Sequence, residues 1–197
     1  MASSANISRR EALKRTALLV GGLVSAPVWS SALTGCAPTS DGPLVLLSEA
    51  QFELVAPMTD IIIPPTDTPG ARAAGVPRFI DRMVGDSFLA KDRKRFMDGL
   101  QAFGAQVRAA HQRPFAELSR ALQTAAVATL DDDTFGPDAP PPDPEAPSFF
   151  RMFKELTLVG YYTSEVGATQ ELRLNIVPGY YDGNVPFADI GRAWSQD

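Results

Sequence analysis

Side chains that bind metals or do chemistry are scarce in this sequence. Among 197 residues there is one His and one Cys. A lone Cys has no partner for an intramolecular disulfide, and an iron–sulfur cluster takes several thiolates. No Cys-x-x-Cys-His occurs, which excludes covalent c-type haem attachment. No Gly-x-Gly-x-x-Gly follows a strand pattern, so no dinucleotide fold is suggested. His111 stands at a basic helix end beside Arg108 and Arg113, where an imidazole meets the last helix carbonyls. It lacks the orienting partner that a general base needs. Ser164 and Glu165 pair a hydroxyl with a carboxylate but have no His beside them, so Ser164 reads as a helix cap. Residues 131–136, Asp-Asp-Asp-Thr-Phe-Gly, share the sixth-position Gly of a calcium loop. However, Phe135 occupies the fifth position and Pro142 the twelfth, where a bidentate Glu is needed. The stretch reads as a solvated acidic loop. No catalytic, cofactor-binding or metal-binding residue is assigned in this chain.

Long apolar runs are missing as well. The best, residues 17–28, is interrupted by Gly21, Gly22 and Pro27. It is short of the roughly 20 apolar residues of a membrane span. Positive charge is in deficit: 18 Lys+Arg stand against 23 Asp+Glu. Arg9, Arg10, Lys14, Arg15 and Glu11 all lie at the N-terminus. Setting them aside leaves 14 basic and 22 acidic residues, a net of −8. An acidic body argues against a nucleic-acid partner and against direct adhesion to anionic lipid.

What is present begins at the N-terminus. The run Ser8-Arg9-Arg10-Glu11-Ala12-Leu13-Lys14 resembles a twin-arginine export signal, with Ala12 where Phe is common. A basic head, a modest apolar middle and small residues after it make signal-peptide anatomy. Leu33-Thr34-Gly35-Cys36 resembles a lipobox, which would place cleavage before Cys36 and a lipid on its sulfur. A chance Cys beside an ordinary cleavage site, or an uncleaved anchor, are the other readings. All place the body outside the cytoplasm, on the periplasmic side and close to a membrane. The twin-arginine route carries folded proteins. It therefore points to a cofactor in this chain or in something bound to it, and to the twin-arginine translocase as a partner.

Residues 1–36 are thus expected as signal, 37–47 as tether and 48–197 as one domain. Ser48 and Gln51 form a capping box before Phe52, Val55, Met58 and Ile62 at helical spacing. Pro57 is expected to kink or split that helix. A turn-rich loop spans residues 64–75, and a short helix over 76–84 points Phe79, Ile80 and Met83 inward. Residues 88–111 carry Phe96, Leu100, Phe103 and Val107 on one face. Pro114 is expected to open a helix carrying Phe115, Leu118, Leu122, Ala126 and Leu130. Residues 131–147 are expected as an acidic, Pro-rich loop. Ser148 then caps a helix whose two apolar stripes predict burial on most sides. Asp182-Gly183 marks a turn, but Pro178 and Pro186 limit any strand, so extended loops follow. The fold class is mainly α: a small, irregular helical domain with long loops and an extended C-terminal segment.

The residues from Phe149 to Trp194 resemble the gluconate 2-dehydrogenase subunit 3 family. The matching elements include Gly160-Tyr161-Tyr162-Thr163-Ser164-Glu165, Pro178-Gly179-Tyr180 and Gly191-Arg192-Ala193-Trp194. Ile62-Ile63-Pro64 and Thr66-Asp67-Thr68-Pro69-Gly70-Ala71 agree. The resemblance implies a non-catalytic small subunit of a membrane-associated sugar or polyol dehydrogenase. Its large subunit is a flavoprotein of the glucose–methanol–choline class, which would hold the FAD, and a c-type cytochrome often takes the electrons. In that reading the twin-arginine signal, with Arg9 and Arg10, serves both subunits, and Cys36 adds a lipid anchor. The resemblance supplies no catalytic residues. It suggests an interface at Tyr161, Tyr162, Glu165, Tyr180, Arg192 and Trp194. The competing readings are a periplasmic enzyme in its own right and a free-standing periplasmic lipoprotein that binds a sugar or protein.

Overall fold

Ser48 opens the first helix as its sequence requires. Its hydroxyl accepts the Gln51 N–H, and Gln51 reaches back to the Ser48 N–H (2.9 Å). The structure, a computed structural model, describes residues 42–177, 179 and 182–195. Arg9, Arg10, Cys36 and Tyr180 lie outside the described residues. Helix α1 (Glu49–Ile62) runs unbroken through Pro57, so the expected split does not occur. Proline removes one backbone bond, but Val55, Ala56, Met58 and Thr59 around it are buried. Packing of that face outweighs the lost bond.

Helix α2 (Val76–Arg82) follows Gly75, whose φ of 81° suits glycine, and passes into a π turn at Met83–Ser87. Asp81 is 2% exposed. Its carboxylate accepts the N–H groups of Val45, Leu46 and Leu47 at 2.7, 3.0 and 2.8 Å. This clamp fixes the segment before α1 onto α2. Helix α3 (Ala90–His111) buries Phe96, Leu100, Phe103 and Val107, the stripe its spacing predicts.

Pro114 does not open the next helix. A short 3₁₀ turn (Phe115–Glu117) comes first, and Leu118 is extended. Ser119 then caps α4 (Arg120–Phe135) by accepting the Leu122 N–H. The local cap resets the helical phase. Gln123 and Val127 are buried instead of Leu122, which is 42% exposed. The Gln123 amide donates to the Phe115 carbonyl (2.9 Å), which satisfies it in the core. Residues 131–135 are helical rather than loop, and the loop begins at Gly136. Three carboxylates at a helix C-terminus oppose the macrodipole. Two cations compensate: Lys154 pairs with Asp131, and the Arg151 and Lys154 side chains lie over the Phe135 ring at 4.5 and 4.6 Å.

Both cations come from α5 (Phe149–Tyr162), the centre of the fold. Ser148 caps it, and Phe149, Phe150, Met152, Phe153, Leu156, Thr157, Gly160 and Tyr161 are buried. It packs against α1, α2, α3 and α4. The crossing with α3 depends on Gly99, where a Cβ would stand 2.2 Å from Phe149 Cβ. The Phe96 and Phe149 rings meet edge to face there at 5.2 Å. After α5 come a π turn at Gly167–Glu171, a run whose described residues form no helix or strand, and the four-residue α6 (Phe187–Ile190). Residues 43–197 gather as one compact unit. The described fold is mainly helical, as its sequence predicts, and its only β pairing among the described residues is an isolated bridge.

Candidate functional site

The interface residues expected from sequence divide into three groups. Tyr161 belongs to the core, at 1% exposure. Its hydroxyl donates to the Pro69 carbonyl (3.0 Å) and lies 3.2 Å from Thr68 Oγ1, which donates to Glu171 Oε2 (2.9 Å). The ring is thus used to tie the loop before α2 to the end of α5 and the π turn. It offers no surface to a partner, because a buried Tyr finds its hydroxyl partner inside. Ser164 donates to the Tyr161 carbonyl (2.6 Å) and accepts the Gly167 N–H (3.0 Å), so it caps the next turn as expected.

The second group lies on the outer face of α5. Leu158, Val159 and Tyr162 are 38, 51 and 41% exposed. Their spacing places them on one helix face, with exposed Glu155 among them. Glu165 is exposed one turn further on. Three apolar side chains on one face leave an uncovered strip, whereas a scattered one would need no explanation.

The third group is built by the C-terminal run. Arg173 and Trp194 form a parallel bridge. The Arg173 N–H donates to the Ala193 carbonyl (2.8 Å), and the Ser195 N–H donates to the Arg173 carbonyl (3.0 Å). The Arg173 guanidinium donates to the Ile190 carbonyl (3.1 Å) and lies 4.8 Å from the Trp194 ring centre. Gly191, at φ 76°, turns the chain after α6 so that Arg192 follows. A groove of about 510 Å³ results, with Thr169, Leu172, Arg173 and Leu174 on one side and Ile190 and Arg192 on the other. Ile176, Val177 and Phe187 are 77, 80 and 70% exposed, and Trp194 41%.

Arg192 and Trp194 are therefore brought to one place, while Tyr162 and Glu165 sit on and just after α5. Sequence reasoning missed Arg173. The signal for it is the alternation Leu172-Arg173-Leu174, which marks an extended run with one polar side. Among the described residues no group of His, Cys, Asp and Glu is placed to hold a metal, and no helix is long and apolar enough to cross a membrane. His111 ends α3, and Asp131–Asp133 lie within α4. Guanidinium groups, aromatic rings and bare aliphatic side chains are the chemistry of recognition surfaces.

The family model described as gluconate 2-dehydrogenase subunit 3 matches residues 49–179. The match spans Tyr161, Tyr162 and Glu165, and Arg192 and Trp194 lie beyond it. No curated protein and no solved structure gives a match.

Proposed function

The chain belongs to the gluconate 2-dehydrogenase subunit 3 family and is thereby a subunit of a dehydrogenase complex, and from that premise we propose the following role. It is the non-catalytic small subunit of a periplasmic, membrane-associated sugar or polyol dehydrogenase. Its partner is a flavoprotein of the glucose–methanol–choline class, which carries the FAD and the active site. This chain escorts that flavoprotein, already folded and loaded, through the twin-arginine translocase, and stabilises it afterwards. A lipid on Cys36 anchors the pair to the membrane, and a c-type cytochrome can take the electrons.

One observation carries the reading. The end of the domain displays large apolar side chains that are left exposed among the described residues, at Leu158, Val159, Tyr162, Ile176, Val177, Phe187 and Trp194. Such a surface in a subunit of a complex is where the larger chain docks. The leader supports the escort role, because the twin-arginine route accepts folded cargo.

The test is a tagged pull-down of the full chain from detergent-solubilised membranes of its own host, with an absorbance spectrum of the product. A stoichiometric larger protein with a flavin spectrum is expected. Replacing both Arg9 and Arg10 by Lys should then leave that flavoprotein in the cytoplasm. A lone, colourless chain would overturn the proposal in favour of the free-standing lipoprotein.

A further inference from the structure

The body of this protein is acidic, and its carboxylates outnumber its cations. Some of its cations find local partners. Lys94 pairs with Asp98, Arg95 with Asp92 and Lys154 with Asp131. Arg93 donates to the Val84 and Phe88 carbonyls, and Arg120 to the Asp60 carbonyl. In the C-terminal groove two cations line one cavity. Arg173 touches a carbonyl and an indole ring but no carboxylate, and Arg192 makes no hydrogen bond or ion pair among the described residues.

We propose that this groove receives an Asp or Glu side chain of the larger subunit, gripped between Arg173 and Arg192. The proposal rests on the small-subunit reading above and names the contact that reading leaves open. Four features favour a carboxylate. Two guanidinium groups that touch no carboxylate among the described residues line the same groove, and each can offer a planar fork to a carboxylate. Arg173 is already held by its backbone bridge, by the Ile190 carbonyl and by Trp194, so little side-chain freedom is left to lose on binding. Leu172, Leu174 and Ile190 wall the groove, and Ile176, Val177 and Phe187 are exposed in the same run. Apolar contacts around a charged pair exclude water and strengthen it. Finally, an acidic body repels acidic surface at long range, and a local cationic groove fixes which acidic residue can approach and in what register.

Two measurements test the assignment in the intact complex. The first is the pull-down above with Arg192→Glu. Arg192 is exposed and has no hydrogen bond or ion pair to lose among the described residues, so the melting temperature of the chain should stay unchanged. Recovery of the flavoprotein should fall about tenfold or more, as for a residue at the centre of an interface. The second uses Arg192→Lys with a zero-length carbodiimide, which joins an amine to a carboxylate in contact. A cross-link from position 192 to an Asp or Glu of the larger subunit is expected. If wild-type chain recovers the flavoprotein and Arg192→Glu recovers it equally, the groove assignment fails and the small-subunit reading stands. Recovery by Arg192→Lys with no cross-link at position 192 also overturns it. If the wild-type chain recovers no flavoprotein, the small-subunit reading itself falls.

Discussion

The helical body and the C-terminal run of this domain are built from similar residues and treat them in opposite ways. In the body, Val55, Met58, Ile80, Phe96 and Phe153 are fully or almost fully buried. In the run after the second π turn, Ile176, Val177 and Phe187 are at least 70% exposed. Burial of a large aliphatic or aromatic side chain contributes about 1.5–3 kcal/mol. The body collects that contribution within one chain. The run does not, and it is held by the Arg173–Trp194 bridge, one guanidinium bond and the short α6. Its apolar side chains stabilise something only when a second surface covers them. In the proposed reading the body is what folds, and the run is what waits for a partner.

The contrast is sharpest where the body is densest. Phe153 is fully buried, with Phe96, Phe149 and Phe150 around it. Phe153→Ala should cost about 3–5 kcal/mol, since the cavity is lined by rings that cannot all collapse into it. Urea denaturation of the isolated domain measures this. A loss below about 1 kcal/mol would mean the aromatic cluster is looser than a core should be.

Asp81 extends the comparison to polar groups. Asp81→Ala strips three N–H donors of one buried acceptor and should cost about 3 kcal/mol, because bonds to a charged group are worth about 1.5–3 kcal/mol each and some of the donors regain water. Amide exchange should accelerate at Val45, Leu46 and Leu47 first. Uniform acceleration across the domain would instead mark Asp81 as a global support. Gly99→Ala should be milder. The new methyl gains about 1 kcal/mol of helix propensity but meets Phe149 Cβ, a rigid atom, and overpacking of that kind costs about 1–3 kcal/mol. A stabilised variant would show that α3 and α5 can part without loss.

The same division governs what could be read from sequence. The buried stripes of α3 and α5 and the caps at Ser48 and Ser148 were legible, because period and cap chemistry are local and water sorts the faces. Pro57 does not split its helix because a buried face outweighs one lost bond, which no local rule contains. The start of α4 was misplaced because Pro114 and Ser119 both signal a helix start, and only packing of Gln123 against Phe115 decides between them. Asp131–Phe135 read as loop because the two compensating cations lie on another helix. Tyr161 and Trp194 looked alike in sequence. A hydroxyl partner at Pro69 puts one in the core, and pairing with Arg173 leaves the other on the surface. The groove was the least legible part, since Arg173 and Arg192 meet only through a bridge 21 residues apart in sequence.

The smallest predicted effect on stability bears most directly on the division. Ile176→Ser with Val177→Ser should change the unfolding free energy by no more than about 0.5 kcal/mol, the usual range for surface positions. In the folded body, two such replacements would remove several kcal/mol of burial. Here both side chains are at least three-quarters exposed, so little burial is there to lose. Recovery of the larger subunit should nevertheless fall, because these side chains would bury their surface against it. The pair of readouts discriminates. If stability drops with recovery, the run is packed against the body in solution and its exposure is not a docking surface. If neither changes, the apolar display lies outside the interface, and the exposed face of α5 at Leu158, Val159 and Tyr162 becomes the better place for the partner. Only unchanged stability with reduced recovery fits a segment whose hydrophobic energy is realised between two chains rather than within one.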